Sequence, residues 1–468
     1  MMGVGRSWIP TTLVFALAVG CLGIVLWLAH GGIPSRPLHA DEAGQWSLMV
    51  EGGPHSATQD QFHGPALGLL ARAGFSVVGI NPADASESAL RAVPLLFAVT
   101  LLLSSFVRRH RSSALLGVLA IAPCARFIQE PILAVSLVWV ALFWLREDEV
   151  EAGHLWRLRL FAGLAAGLAL ACKVTAALYL GVAAASYLWL RRGERSRGGL
   201  VVFWTSAAFS WACWQSTFFT DLPALGTWWT QLARAFGVAA GVTQERLTLV
   251  TVWPWFISVL LLAAAAYGRW RRRAETPLGR HRLDPLLLAA SVVLLLHLAL
   301  PYKTPWLLMT VDMLVLLVLL PELLVDDLFR GLDEGAWRVL RALLLVVLLV
   351  GVVRWVSAQR YAYVETSPAV PAVARVIREA SRDASLVVQV SGVNCWPIPY
   401  YLRGLRVGYG DFEGAANADI RWVESVGPEA PMAPGSRAIP VEVRPGELWW
   451  VLVRDPLAGR IETALGRR

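Results

Sequence analysis

The chain has 468 residues, of which 56% are hydrophobic and only 16% charged, and its mean hydropathy is +0.54. This composition excludes an ordinary soluble globular protein and predicts a polytopic α-helical membrane protein. The net charge of +8 would suggest nucleic-acid binding in a soluble protein. Here, however, the arginines cluster in short loops between apolar runs, which is the pattern that orients membrane helices.

The apolar runs are close to the roughly 20 residues that cross about 30 Å of hydrocarbon, and they predict about eleven transmembrane helices. The first is interpreted as an anchor helix, because it is longer than a usual signal-peptide core and no convincing cleavage site follows it. The stretch 160–190 is too long for one helix and has Lys173 at its middle, so we interpret it as a tight helical hairpin. The predicted spans are 11–29, 89–107, 113–125, 131–145, 160–172, 174–190, 200–219, 248–267, 285–300, 307–325 and 338–356.

The charges in the loops orient these helices. With the N-terminus in the cytoplasm, every arginine-rich loop falls on the cytoplasmic side, as the positive-inside rule requires. Counting 160–190 as a single helix would place the later arginine-rich loops outside, which favours the hairpin. The arginine-rich loops are 108–111, 146–159, 191–197, 269–282 and 330–341.

Two longer segments lie on the predicted outer side of the transmembrane domain, which we assign to residues 1–357. The first is the loop 30–88, whose stretch "HGPALGLLARAGFSVVG" predicts an interfacial helix interrupted by Arg72. The second is the tail 358–468, which predicts a small extracytoplasmic α/β domain. Its helix is expected in "VARVIREAS", and its strands in "SLVVQVSG" and "LWWVLVRDP".

Several ionisable residues gather on the outer side although topology does not require them there. Such groups are expensive at the hydrocarbon edge and usually face a cavity or a partner. A carboxylate can deprotonate or hold a hydroxyl, and arginine or lysine can bind a phosphate and stabilise it as a leaving group. This combination suits group transfer from a lipid-linked phosphate. The residues are Asp41, Glu42, Arg91, Arg126, Glu130, Lys173 and Lys303.

Three short motifs in this region resemble those of the GT-C superfamily of membrane glycosyltransferases. "HADEAGQW" (39–46) resembles the Asp-Glu motif of the dolichyl-phosphate-mannose protein mannosyltransferases. "FHGPALGLL" (62–70) is similar to their His-Pro-Pro-Leu helix start, with Gly64 in place of the first proline. "ARFIQEPILA" (125–134) falls where those enzymes carry a second acidic residue, with Glu130 where Asp is more usual.

Two further motifs narrow the resemblance. "PYKTPWLL" (301–308) and "CWPIPYYLRG" (395–404) resemble the prokaryotic family named for flippase-activity association in archaeal protein glycosylation. The resemblance runs over most of the chain. It implies a GT-C fold in the prokaryotic cell membrane and a sugar transfer at the extracytoplasmic face. The donor would be a polyprenyl-phosphate sugar, and the acceptor a hydroxyl of a protein, a glycan or a lipid.

The resemblance also implies roles, position by position. Asp41 would be the base that activates the acceptor, and Glu42 and Glu130 would shape or charge the site. The donor phosphate would be held by Arg126, Lys173, Lys303 and Arg91. His63 and Trp228 would contact the acceptor or the sugar, although the sequence favours interfacial anchoring for Trp228.

Structural roles compete with these assignments. Asp41 and Glu42 could be a charge pair at a helix N-terminus, Glu130 could pair with Arg126 at i,i+4, and Lys173 could extend to the membrane interface.

No metal or other cofactor is expected. His39, His55 and His63 are irregularly spaced beside the Asp-Glu pair, and the five cysteines show no zinc-site spacing. A divalent metal stays open as the alternative, because some lipid-linked oligosaccharide transferases of this general fold use one. A bridge between Cys124 and Cys172 is conceivable.

Two other functions compete with an enzyme. A flippase or a flippase-associated component would move a lipid-linked sugar without breaking its glycosidic bond. Transporters usually show internal repeats and charges near the bilayer midplane, whereas no repeat is visible here and the charges gather at one edge. A non-catalytic scaffold that binds a lipid-linked glycan is the third interpretation.

Overall fold

The structure is a computed structural model, and it describes the chain in several segments. These are residues 37–51, 64–108, 126–145, 151–190, 197–241, 283–299, 308–324, 366–392, 395–410, 418–425 and most of 429–467, with short pieces between 258 and 266. Several predictions lie outside the described residues, namely the spans 11–29, 113–125 and 338–356 and the side chains of His55, His63 and Lys303.

The described part before residue 325 is helical. Its α-helices are α1 (Ala40–Glu51), α2 (Ala66–Val78), α3 (Glu87–Arg108), α4 (Gln129–Leu145), α5 (Leu155–Cys172), α6 (Ala176–Leu190), α7 (Arg197–Gln215), α8 (Pro223–Gly241), α9 (Leu283–Ala299) and α10 (Leu308–Leu324). Within the described residues, α5 is the one helix long and apolar enough to cross a membrane, and five others are apolar but shorter by that measure. The total of about eleven spans stays a prediction.

The break predicted at the middle of 160–190 is confirmed. Helix α5 ends at Cys172, Lys173 has an extended backbone, and α6 begins at Ala176. The Cys172 carbonyl accepts a hydrogen bond of 2.9 Å from the Gly64 amide. The last carbonyls of a helix have no hydrogen-bond partner within that helix. The Gly64 amide, from another segment, supplies a partner for one of these carbonyls of α5.

Helices α5 and α7 pack through small residues. A Cβ atom on Gly163 would lie 1.9 Å from the Ser206 hydroxyl oxygen, and one on Gly167 would lie 2.4 Å from the Ala207 carbonyl oxygen. Ser210 also donates a hydrogen bond of 2.8 Å to the Leu164 carbonyl across this interface. Small residues allow such close backbone approach between membrane helices.

Helix α4 also packs against α5, and it contacts α10 and α3 as well. The short segment 126–128 leads directly into α4. The helix predicted in the first outer loop is confirmed as α2, while its position at a membrane interface stays a prediction. Arg72, half-buried on α2, donates from Nε to the Met49 carbonyl at 2.7 Å, close to the C-terminal end of α1.

The C-terminal region forms a five-stranded sheet with strand order β2-β1-β3-β5-β4. Strand β1 pairs in parallel with β2 and β3, while β5 pairs antiparallel with β3 and β4. The elements are α11 (Ala369–Asp383), β1 (Val387–Ser391), α12 (Ile398–Tyr401), β2 (Arg406–Tyr409), β3 (Ile420–Glu424), β4 (Arg437–Arg444), β5 (Glu447–Val453) and α13 (Leu457–Ala464).

Alternation of apolar side chains explains this sheet, because successive residues of a strand point to opposite faces. In β5, Trp449, Val451 and Val453 are buried, and they lie beside the buried Trp422 of β3. The predicted helix "VARVIREAS" is confirmed within α11, and the two predicted strands are confirmed as β1 and β5. A small sheet domain therefore follows the helical part of the chain.

Candidate functional site

The site begins at the first turn of α1, where His39 and Glu42 cap the helix reciprocally. The Ala43 amide donates to the His39 carbonyl, so His39 is the residue that precedes the helix. Its Nδ1 accepts a hydrogen bond of 3.1 Å from the Asp41 amide, while its own amide donates to Glu42 Oε2 at 2.9 Å. This arrangement is similar to a capping box, with histidine in the position that serine or threonine usually holds and with the second helical amide bound instead of the third.

Glu42 is fully buried and its carboxylate is enclosed by donors. Arg91 donates from Nε to Oε1 at 2.9 Å and from Nη2 to Oε2 at 3.0 Å. The Phe127 amide donates to Oε1 at 2.9 Å, and Arg126 Nη1 lies 3.9 Å from Oε2. Burial alone would raise the pKa of Glu42, but Arg91, Arg126 and the Phe127 amide lower it to about 2. Glu42 therefore stays ionised and holds α1, α3 and the start of α4 together.

Asp41 has the opposite environment, although it is the adjacent residue. Its side chain is 45% exposed, whereas that of Glu42 is 0% exposed. Its Oδ2 lies 3.8 Å from Nδ1 of His39, which is buried. Asp41 is thus the carboxylate of this cluster that a molecule from solvent can reach.

The buried imidazole of His39 is held neutral. Burial lowers its pKa to about 4, and the positive charges of Arg126 and Arg91 lower it further, against the opposing effect of Asp41 and Glu42. A neutral ring agrees with the hydrogen bond that Nδ1 accepts from the Asp41 amide.

The segment before α4 links this cluster to the end of α5. Gln129 is buried and donates from Nε2 to the Gln45 side chain at 3.1 Å and to the Gly64 carbonyl at 2.9 Å. The Gly64 amide in turn donates to the Cys172 carbonyl. A Cβ atom at position 64 would lie 1.8 Å from the Ala171 carbonyl oxygen, so only glycine fits there. This explains why the residue between His63 and Pro65 is glycine in this chain.

Glu130 and Lys173 form a buried salt bridge next to that link. Position 130 had competing interpretations from sequence, as a site carboxylate and as an i,i+4 partner of Arg126. The structure pairs it with Lys173, which comes from the break between α5 and α6. Because both groups are removed from water, each charge is stabilised by the opposite charge of the other.

The structure thus places six of the predicted site residues in two neighbouring groups, one around Glu42 and the other formed by the Glu130–Lys173 salt bridge, which are linked along the chain by residues 126–130. The six residues are Asp41, Glu42, Arg91, Arg126, Glu130 and Lys173. Arg91 is buried and directs its guanidinium to Glu42 and to the Pro37 carbonyl. The Arg126 side chain is 13% exposed.

Trp228 lies inside the protein, 6% exposed, with its indole N–H donating to the Leu170 carbonyl at 3.2 Å. The exposed indole at this place is Trp229, which packs edge-on against Trp228. Neither His63 nor Lys303 belongs to the described residues.

The described residues contain no group of three or more His, Cys, Asp and Glu side chains that could hold a metal ion. Cys172 is a buried free thiol, and Cys124 lies outside the described residues.

Sequence reasoning missed several residues that support the site, among them Gln45, Gln129, Tyr401 and Trp396. The two aromatic residues belong to "CWPIPYYLRG", which was recognised as a motif without a role. Trp396 packs against Ala40 and Ile128, the neighbours of Asp41 and Phe127. No local pattern could have predicted this contact, because Trp396 is far from Ala40 and Ile128 in the sequence.

Comparison with known proteins identifies the fold of this chain through similar solved structures. No protein-family model matches the sequence, and no curated protein matches it significantly. Solved structures do match. ArnT from Cupriavidus metallidurans bound to undecaprenyl phosphate is similar with a TM-score of 0.55 and 14% identity, over 95% of this chain and 98% of that chain.

Two structures from Archaeoglobus fulgidus are also similar, each at 12% identity. The oligosaccharyltransferase tethered with an acceptor peptide gives a TM-score of 0.54 over 86% of this chain and 64% of that chain. The oligosaccharyltransferase AglB in complex with an inhibitory peptide and a dolichol-phosphate gives 0.50 over 89% and 70%. At these identities the similarity shows that this chain shares the fold of these proteins.

Proposed function

We propose that this protein is a membrane glycosyltransferase that transfers a sugar from a polyprenyl-phosphate donor to an acceptor hydroxyl at the extracytoplasmic face. The observation that carries the proposal is the unequal environment of two adjacent carboxylates. Glu42 is locked by arginines and amides, while Asp41 is presented to solvent by the same helix turn. A fixed and accessible carboxylate beside buried positive charge suits a general base next to an anionic substrate.

In the proposed reaction, the acceptor hydroxyl gives its proton to the Asp41 carboxylate as its oxygen attacks the anomeric carbon of the sugar. The bond between that carbon and the phosphate oxygen breaks, and its electron pair leaves with the polyprenyl phosphate. Attack from the side opposite the phosphate inverts the configuration of the sugar. Glu42 takes no proton, because it remains ionised in its cage of donors.

The phosphate needs positive charge as it leaves, and we assign this role first to Arg126. It is partly exposed and is held beside Glu42 at 3.9 Å. Lys173, next to Glu130, and Lys303, from the sequence alone, are proposed as further phosphate contacts. Arg91 is instead proposed to position Glu42, since its guanidinium is buried against that carboxylate.

The structural neighbours support a lipid-phosphate donor. One is bound to undecaprenyl phosphate and another is in complex with a dolichol-phosphate. Oligosaccharyltransferase activity in the archaeal neighbours also supports protein among the acceptors. A function like that of the mannosyltransferase or flippase-associated families, and the prokaryotic cell membrane as location, are proposals from the sequence resemblance.

The test is transfer by the purified, reconstituted protein from a panel of undecaprenyl-phosphate monosaccharides to peptide, glycan and lipid acceptors. Asp41→Asn should lower the transfer rate by about 10²-fold or more, because the general base is lost. Asp84→Asn is the matched control, since Asp84 is an exposed carboxylate of the same loop and should leave transfer unchanged. Equal transfer by wild type and Asp41→Asn would refute the role of Asp41.

The alternative is a flippase or flippase-associated component. Retained movement of the lipid-linked sugar across vesicle membranes, with no product from any donor, would favour it. Lipid binding with neither movement nor transfer would favour the non-catalytic scaffold.

A further inference from the structure

The C-terminal domain contacts two of the three residues that lead into Asp41, namely Leu38 and Ala40. Tyr401 and Thr366 each form a hydrogen bond with the Leu38 backbone, and Trp396 packs against Ala40. Leu38 is fully buried by these contacts and by its neighbours. Because Leu38 lies before the helix, its buried amide and carbonyl must find hydrogen-bond partners in other segments of the protein.

The two backbone groups of Leu38 are bound from one domain. The Leu38 amide donates to the Tyr401 hydroxyl oxygen at 2.5 Å, and the Leu38 carbonyl accepts a hydrogen bond of 2.6 Å from the Thr366 hydroxyl. The Tyr401 hydroxyl donates onward to Glu87 Oε1 at 2.7 Å, at the start of α3. Its position is therefore fixed on two sides.

Beyond the function proposed above, and resting on it, we infer that Tyr401 is a positioning residue for Asp41. By holding Leu38, it sets the start of α1 against the C-terminal domain and against α3, and thereby sets where the Asp41 carboxylate points. Tyr401 itself touches neither the carboxylate nor any reacting atom. The C-terminal domain is then a working part of the site and not a separate module.

The neighbouring Tyr400 provides a matched comparison. It is buried as deeply as Tyr401, and its hydroxyl also donates across to the first outer loop, to the Ala85 carbonyl at 3.1 Å. Its ring packs edge-on against Trp46, inside α1, at a centroid distance of 5.1 Å. Tyr400 therefore contributes to domain contact without binding the residues that precede Asp41.

The experiment compares Tyr401→Phe with Tyr400→Phe in the full-length reconstituted protein, with two readouts. Hydrogen exchange of a peptide covering residues 37–43 reports directly on the Leu38 amide. Steady-state transfer from undecaprenyl-phosphate monosaccharides reports on kcat and on KM for the sugar donor. A displacement of a catalytic group by about 1 Å can cost up to about 10²-fold in rate.

In Tyr401→Phe, the amide hydrogens of residues 37–43 should exchange about tenfold faster or more, because this segment opens locally more often. It should lower kcat by about tenfold or more while changing KM by less than about twofold, since the phosphate contacts lie elsewhere. Tyr400→Phe should change neither readout by more than about twofold. Glu87→Gln keeps an acceptor for Tyr401 and should stay close to wild type, whereas Glu87→Leu should follow Tyr401→Phe.

Wild-type exchange and wild-type kcat in Tyr401→Phe would overturn the inference. Equal effects of Tyr400→Phe and Tyr401→Phe would also overturn it, because the cause would then be general loosening of the domain contact. If wild type turns over none of the sugar donors, the proposed function fails, and the exchange measurement alone still decides whether Tyr401 holds the segment.

Discussion

At the scale of single residues, the two adjacent carboxylates in the first turn of α1 differ in their hydrogen-bond and ion-pair partners. The sequence resemblance implied a base at Asp41 and a shaping role for Glu42, but it gave no physical reason for that division. The division depends on Arg91, which is 49 positions away, and on the Phe127 amide, which is 85 positions away. Backbone donors of this kind leave no mark in a sequence, because any residue but proline can supply them.

The buried imidazole of His39 predicts a pH dependence of stability. Its pKa is about 4 in the folded protein against about 6.5 for an ordinary histidine. As the pH falls from 6.5 to 4, the unfolded chain therefore takes up a proton that the folded protein does not, and stability is lost over that window. The loss from this group is about 3 kcal/mol when complete.

His39→Asn should remove this loss while keeping a side-chain acceptor for the Asp41 amide. Thermal unfolding in detergent between pH 7 and pH 4 checks it, with the exposed His154→Asn as control. The wild type and the control should lose stability in parallel, and His39→Asn should lose distinctly less. An unchanged pH dependence in His39→Asn would contradict the assignment of a neutral buried ring.

At the scale of elements, the contact between Gly64 and the end of α5 joins the two halves of the site. Gly64→Ala would place a Cβ atom 1.8 Å from the Ala171 carbonyl oxygen, so the backbones must separate. We expect a loss of about 1–3 kcal/mol, typical of overpacking, together with reduced transfer, because Gln129 and Lys173 are anchored at the same contact. Thermal unfolding and the transfer assay measure both effects.

Gly68→Ala is the matched control within the same stretch. The new methyl group would meet only Met49, at an ordinary 3.8 Å, and a helix interior favours alanine over glycine by up to about 1 kcal/mol. Gly68→Ala should therefore be as stable as wild type or more stable. A Gly64→Ala protein with wild-type stability would show that the close approach is not required.

The helix break at Lys173 could be predicted from sequence, because length and loop charge both demanded it. The bond that closes the break could not, since it pairs the Cys172 carbonyl with a glycine amide more than 100 residues earlier. The same applies to the small-residue contact between α5 and α7. Gly163 and Gly167 can be read in the sequence, but only the three-dimensional structure shows that α7 is the helix that packs against them.

At the scale of the whole molecule, the arginine pattern predicts an orientation that can be measured. Single cysteines would be introduced into a cysteine-free variant at Asp84 and Arg382, both exposed, and at Arg195 in a basic loop. A membrane-impermeant maleimide should label positions 84 and 382 in intact cells. It should label position 195 only after permeabilisation, because that loop is predicted to be cytoplasmic. The reverse pattern would refute the orientation.

The fold class and the secondary structure of the C-terminal domain followed from periodicity and from motif resemblance. The docking of that domain on α1 did not. It depends on two tyrosine hydroxyls that bond to backbone groups of the first outer loop and on the indole of Trp396, which packs against Ala40 and Ile128. A sequence reports which residues are aromatic, but not which distant carbonyl or amide they will reach.

The bond between Leu38 and Tyr401 joins residues 363 positions apart. Leu38 therefore leaves the ribosome long before its partner is made, and every described helix up to α10 is synthesised in the interval. The segment that carries Asp41 is completed only when the last domain has been made and folded. Truncated chains released early by a stalled ribosome would accordingly lack the hydrogen bond that holds the residues before Asp41.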